Sequence, residues 1–226
     1  MTVPVRSLHV ADAREAEDLT AFLARLLHYD RAAAVRLQAG GPQGPGPHLA
    51  VFGRPPSFEV LAIRTARLGD PALLDVTVSA GELLEGISGS GFTVPAPVTG
   101  PPWAGVLPPR GGWSELPGLP GEAEMRAAVS AAVAEFRARD EQLPPERRNR
   151  AERDRIGREI WSRTVAATPL PLRAVHAAQS LGFLRPGVPV ALLSTGSWLR
   201  LRTPFGSIGV RVSGFGGLSV IPTRTG

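Results

Sequence analysis

Cysteine and lysine are both absent from this chain of 226 residues. Without cysteine there is no disulfide framework, no thiol nucleophile and no Cys-ligated metal. Without lysine, all 25 basic residues are arginine, a permanently charged planar fork of donors suited to oxyanions. The sequence pI of 11.1 reflects that usage more than the formal net charge, which is only +5. The histidines His9, His28, His48 and His176 stand at no mutual ligand spacing, so no metal is expected. Ser194 to Ser197 lacks the surroundings of a nucleophile elbow, and neither a Walker nor a Rossmann glycine signature occurs. No catalytic residue is therefore nominated and no cofactor is expected. No apolar run reaches the length of a bilayer span, and the first residues lack a basic segment followed by an apolar one. The expectation is a cytoplasmic protein with no membrane partner.

Carboxylates are missing from one long stretch. From Ile160 to Gly226 there is no aspartate or glutamate, while Arg163, Arg173, Arg185, Arg200, Arg202, Arg211 and Arg224 remain. Protein surfaces normally intersperse the two signs, so the stretch reads as a surface for an anion: nucleic acid, an acidic protein or a phosphorylated ligand. Met1 to Ile87 carries 8 arginines against 10 carboxylates, and Glu122 to Gly226 carries 16 against 9. All the excess positive charge thus lies in the C-terminal half.

What is present points to an α+β fold. Asp12 to Tyr29 places Leu19, Phe22, Leu23, Leu26 and Leu27 on one helical stripe, with Asp12 and Glu15 as a capping pair. Strands are expected at Ala33 to Gln38, His48 to Gly53, Phe58 to Arg67 and Leu73 to Val78, with connections short enough for an antiparallel meander. Ser79 and Glu82 form a capping box for a short helix. Ser88 to Gly121 is dense in glycine and proline, yet it carries Trp103 and Trp113. Tryptophan is usually largely buried, so this segment is expected to pack across the N-terminal sheet. Helices follow at Glu122 to Arg139, Glu146 to Val165 and Leu172 to Leu181, then strands at Val190 to Leu193, Ser197 to Thr203 and Ser207 to Val212, with Leu218 to Ile221 as a further one. The division expected is an N-terminal α+β unit (1–87), a Pro/Gly-rich connection (88–121) and a basic unit of helices and antiparallel hairpins (122–226).

The last hairpin carries the most specific local signal. Trp198, Arg200 and Arg202 alternate with Leu199 and Leu201, and Arg211 alternates with Val210 and Val212. An even-length turn sets Arg202 opposite Ser207, Arg200 opposite Gly209 and Trp198 opposite Arg211, giving one apolar face and one that gathers arginines beside a tryptophan. Arginine beside an aromatic ring can hold phosphate and stack a base; a solvated sheet face would show the same alternation. Helix, turn, helix and hairpin from Arg150 to Val212 also follow the order of a winged helix, although Leu172 to Leu181 offers a reading surface only Arg173, His176, Gln179 and Ser180.

Several segments resemble a group of proteins from GC-rich actinobacteria to which no activity is attached: Leu74-Asp75-Val76-Thr77-Val78-Ser79-Ala80, Leu107-Pro108-Pro109-Arg110, Leu170 to Leu184, and Trp198-Leu199-Arg200-Leu201. The resemblance implies nothing about function. From the residues, the leading expectation is a non-enzymatic binding protein for nucleic acid or an acidic protein, through Arg173, Trp198, Arg200, Arg202 and Arg211. The alternatives are an enzyme or binder of a small anionic compound at Arg110 and Trp113, and a homo-oligomer joined along the hairpin edge.

Overall fold

A computed structural model describes residues 6–56 and 58–212. The chain order begins with β1 (Ser7–His9) and α1 (Ala13–Tyr29), then β2 (Ala34–Gly41), β3 (Gly44–Gly53), β4 (Leu61–Ala72), β5 (Leu74–Ser79), α2 (Ala80–Glu85), β6 (Ile87–Ser88) and β7 (Gly91–Thr93). After a 3-10 turn at Pro102–Gly105 come β8 (Ser114–Leu116), α3 (Glu122–Glu141), α4 (Arg150–Trp161), α5 (Leu172–Ser180), β9 (Ala191–Thr195), β10 (Trp198–Thr203) and β11 (Gly206–Arg211). The α+β class holds. The strand expected at Leu218 to Ile221 lies outside the described residues.

Both capping pairs operate as the sequence indicates. Asp12 accepts from the Glu15 amide at 3.0 Å and Ser79 from the Glu82 amide at 3.3 Å. The charged helix is shorter than expected. Pro144 and Pro145 open a 3-10 turn at Pro145–Arg147, and Asn149 then caps α4 by accepting from the Glu152 amide. The β2–β3 turn is tighter than expected, because Gly40 adopts a left-handed φ of 65° and lets β2 run on to Gly41. Unforeseen elements are β8 and a small three-stranded sheet in the order β1-β7-β6.

Eight strands form a single antiparallel sheet in the order β5-β2-β3-β4-β11-β10-β9-β8. The joint is β4 with β11, where Ile63 faces Ser207, Ala62 faces Ile208 and Leu61 faces Gly209. Strands from both ends of the chain therefore share one sheet. One face of it, including Leu37, Val51, Ala62, Leu201, Ile208 and Val210, packs in a common core with α1, α3, α4 and α5. Each large apolar side chain buried there stabilises the fold by about 1.5–3 kcal/mol.

That topology overrides the winged-helix arrangement. A wing must project, but β10 and β11 lie inside the sheet between β9 and β4. A reading helix must present its polar side chains freely, but Arg173, His176, Gln179 and Ser180 of α5 are each half-buried, and His176 is stacked on Trp161. For the same reason the hairpin offers no free edge along which two copies of the chain could pair.

Candidate ligand site on the open face of the sheet

Among the described residues no α-helix packs on the second face of the sheet. Strand alternation sends Arg36 and Gln38 of β2, Ala50 and Phe52 of β3, Leu61, Ile63 and Thr65 of β4, and Ser207, Gly209 and Arg211 of β11 to this side. Trp198, Arg200 and Arg202 of β10 join them. Their register is the one the alternation indicates: Trp198 faces Arg211, Arg200 faces Gly209 and Arg202 faces Ser207 across the two-residue turn at Pro204-Phe205.

The Pro/Gly-rich segment crosses this face as a strap. It starts beside β5, where the Val98 amide donates to the Thr77 carbonyl at 2.9 Å, and it ends by adding β8 to β9 at the opposite edge. Midway, Trp103 and Leu107 pack with Trp198 on Phe52, Leu61 and Ile63, a small apolar cluster apart from the main core. Polar ties hold it down. Arg36 donates to the Ala104 carbonyl at 3.1 Å and to Asp75 at 2.8 Å, and Arg110 donates to the Gly40 carbonyl. Burial works to raise the Asp75 carboxyl, but hydrogen bonds from Arg36 and Gln38 and the charges of Arg36 and Arg110 outweigh it. Asp75 is held below the usual carboxylate range. The packing expected for this segment extends beyond the N-terminal strands, since Trp198 belongs to the C-terminal hairpin.

Several clefts border the strap, and two of them lie over the middle strands of the sheet. The first, of ≈ 190 Å³, has Phe52 and Ile63 as its floor and Gln38, His48, Thr65, Arg110 and Arg200 as its polar lining. Arg200 reaches it across the small residues of β11. The guanidinium carbon of Arg200 lies 5.7 Å from the centre of the Trp113 ring, whose Nε1 donates to the Pro109 carbonyl at 3.0 Å. Burial, and then the charge of Arg202, hold the Arg200 guanidinium below the usual arginine range. Its Nε is buried with no hydrogen-bond partner. Among the described residues no carboxylate lies within ion-pair distance of Arg110, Arg200, Arg202 or Arg211. The second cleft, of ≈ 330 Å³, lies between Trp103 and Trp198 and has Arg54, Glu59 and Arg211 at its rim.

The structure thus regroups the residues nominated from sequence. Arg110 joins Arg200 at one cleft, Trp113 stands beside Arg200 outside its lining, and Arg202 is exposed two residues further along the same strand face. Trp198 and Arg211 belong to the other cleft. Arg173 joins neither group, because α5 lies on the helix-covered side. Arg163 and Arg185 are engaged elsewhere, with Glu135 at 2.5 Å and with Asp18 at 3.4 Å. Sequence reading missed Arg36, Gln38, His48 and Thr65, although strand parity alone groups Arg36 with Gln38. Trp103 was noted only as a buried tryptophan. Among the described residues there is no group of three or more His, Asp or Glu able to hold a metal ion, and no helix is long and apolar enough to cross a membrane.

Two family models cover most of the chain and meet within the strap, between Trp103 and Arg110. No curated protein matches. Residues 3–105 match Domain of unknown function (DUF8010), and residues 108–214 match Domain of unknown function (DUF8185).

Proposed function

We propose that this is a binding protein that captures a phosphate-bearing partner on the open sheet face, with single-stranded nucleic acid as the leading partner. One observation supports the reading above others. Arg200 keeps a half-buried guanidinium with an orphaned Nε and, among the described residues, no carboxylate partner, in a cleft it shares with Arg110. Taking a charge out of water without a counter-charge costs several kcal/mol, which an entering oxyanion offsets. Gln38, His48 and Thr65 surround the same space with neutral hydrogen-bonding groups, and a tetrahedral oxyanion can use several donors at once. Trp113 beside Arg200 supplies a ring on which a base can stack.

The partner's size follows from the cleft. Whole small-molecule ligands occupy roughly 300–1,000 Å³, so ≈ 190 Å³ admits a phosphate group and leaves the rest of the partner outside. A strand running past Arg202 meets that condition. A free phosphorylated compound meets it as well, and this second reading is favoured by the fact that Arg200 is recessed rather than displayed.

Anisotropy titrations of labelled single-stranded RNA and DNA, duplex DNA and an acidic peptide, with inorganic phosphate and a mononucleotide as competitors, separate these cases. Single strands are expected to bind best, with a log–log salt slope of about −0.7 per phosphate contacted. Arg200→Gln with Arg202→Gln reduces that slope by up to roughly 1.4. Trp113→Ala costs on the order of 1–3 kcal/mol if a base stacks there. Capture of the mononucleotide alone selects the second reading. Binding of the acidic peptide alone replaces phosphate with carboxylate chemistry, and no binding by any probe at low salt removes the proposal.

A further inference from the structure

The second cleft has a chemistry of its own and shares no lining residue with the first. Its walls are Trp103 and Trp198, and Leu61 and Gly209 line its floor. Val106 stands at its edge with 47% of its surface exposed. At ≈ 330 Å³ it falls within the range that holds a whole small molecule. Its charges are of both signs and do not neutralise one another. Arg54 and Arg211 have no carboxylate within ion-pair distance among the described residues, and Glu59 has no cation. Glu59 also holds a left-handed φ of 53°, a conformation that costs a non-glycine residue of order 1–3 kcal/mol and that tends to persist at ligand sites.

We infer that this cleft binds a free α-amino acid with an aromatic or large apolar side chain. An arginine at the rim takes the carboxylate, Glu59 takes the ammonium, and the side chain lies between the two tryptophans over Leu61. A ligand with a single charge leaves either the arginines or Glu59 unanswered. One with no apolar body leaves the tryptophan walls wet. The inference does not depend on the phosphate reading, because Arg200 and Arg110 line the other cleft.

Calorimetric titration with L-phenylalanine, L-tryptophan and L-leucine, beside 3-phenylpropionate and phenethylamine, tests it on the full chain. At least one amino acid is expected to bind, and each single-charge analogue is expected to bind the protein about tenfold or more weakly than phenylalanine, since hydrogen bonds to charged groups contribute enough for that factor. Glu59→Gln should bring phenylalanine down to the level of 3-phenylpropionate. Gly209→Ala offers a control for folding. A Cβ there meets the Trp198 ring and the Leu61 carbonyl no closer than 3.6 Å, an ordinary contact. The methyl should leave the melting temperature unchanged while weakening binding by raising the cleft floor. Arg200→Gln should not alter phenylalanine binding at all. Three results overturn the inference: no heat from any of the three amino acids at millimolar concentration, 3-phenylpropionate binding as tightly as phenylalanine, or Gly209→Ala binding unchanged.

Discussion

Arg64 and Arg200 sit in the interior of neighbouring parts of one sheet and face opposite sides of it. Arg64, on the helix-covered face of β4, is 6% exposed, and its guanidinium reaches Glu15 at 3.0 Å, Asp18 at 3.3 Å and the Phe205 carbonyl at 3.0 Å. Those partners come from α1 and from the β10–β11 turn, so one side chain ties the first helix to the last hairpin. Arg200, on the open face of β10, has the neighbouring charge of Arg202 and no carboxylate. The same residue type is therefore paired with carboxylates on one face and has none on the other, although the Nε of each is buried with no hydrogen-bond partner among the described residues. Charge composition along the chain does not separate them; the company each keeps in three dimensions does.

The contrast is broken most forcefully at Arg64. Arg64→Leu takes the buried cation from Glu15 and Asp18, which keep Arg67 and Arg185, so the expected loss lies at or below the lower end of the about 3–5 kcal/mol that a broken buried ion pair costs. Arg200→Leu is expected to be neutral or stabilising in urea denaturation, because it removes a desolvated charge that has no partner. Equal destabilisation by the two substitutions would show that Arg200 is also structural.

The strap supplies the next test. Trp103→Ala removes half-buried ring contacts with Phe52, Leu61 and Ile63, and the expected loss is about 2 kcal/mol, below the roughly 3–5 kcal/mol typical of fully buried aromatic truncations. Proteolysis should then cut within 99–113, a region protected in the parent protein if the strap is bound as tightly as its contacts indicate.

The smallest effect concerns pH and the helical layer. His176 stacks on Trp161 with ring centres 4.3 Å apart and meets Phe58 edge-on at 5.0 Å, and burial holds its pKa below the ordinary histidine value of about 6.5. Its folded pKa is depressed, so below about pH 6.5 the unfolded chain binds more protons than the folded one and stability falls. The contribution is fully present above that pH and is lost progressively on acidification below it. His176→Gln should flatten this part of the stability–pH curve while leaving the Arg64 and Arg200 results unchanged. An identical pH profile in the variant would assign the acid sensitivity to the carboxylates instead.

Much of the local structure was legible in the sequence. The stripe of α1, the caps at Asp12 and Ser79 and the register of β10 against β11 depend on neighbours a few residues away, and short-range spacing reports them. The halves of the candidate site were legible only separately. Arg200 stood out through its alternation with Leu199 and Leu201, and Arg110 through its place beside Trp113. Their convergence was not visible, because nothing local marks where the strap recrosses the sheet. Arg64 was legible only as a member of the strand alternation with Val60 and Ala62, and its role depends on carboxylates of α1 and the carbonyl of Phe205.

By itself the sequence determined the α+β class, most of the helices and strands, the faces of the final hairpin and the excess of positive charge toward the C-terminus. These follow from side-chain periodicity, capping chemistry and composition, which are properties of short windows. The tertiary structure alone decided that β4 pairs with β11, that the hairpin lies inside the sheet, and that the strap divides the open face into two clefts of different chemistry. The physical reason is that an antiparallel strand displays the same backbone donors and acceptors to any partner. Which partner it takes is settled by how the apolar faces of distant segments bury one another.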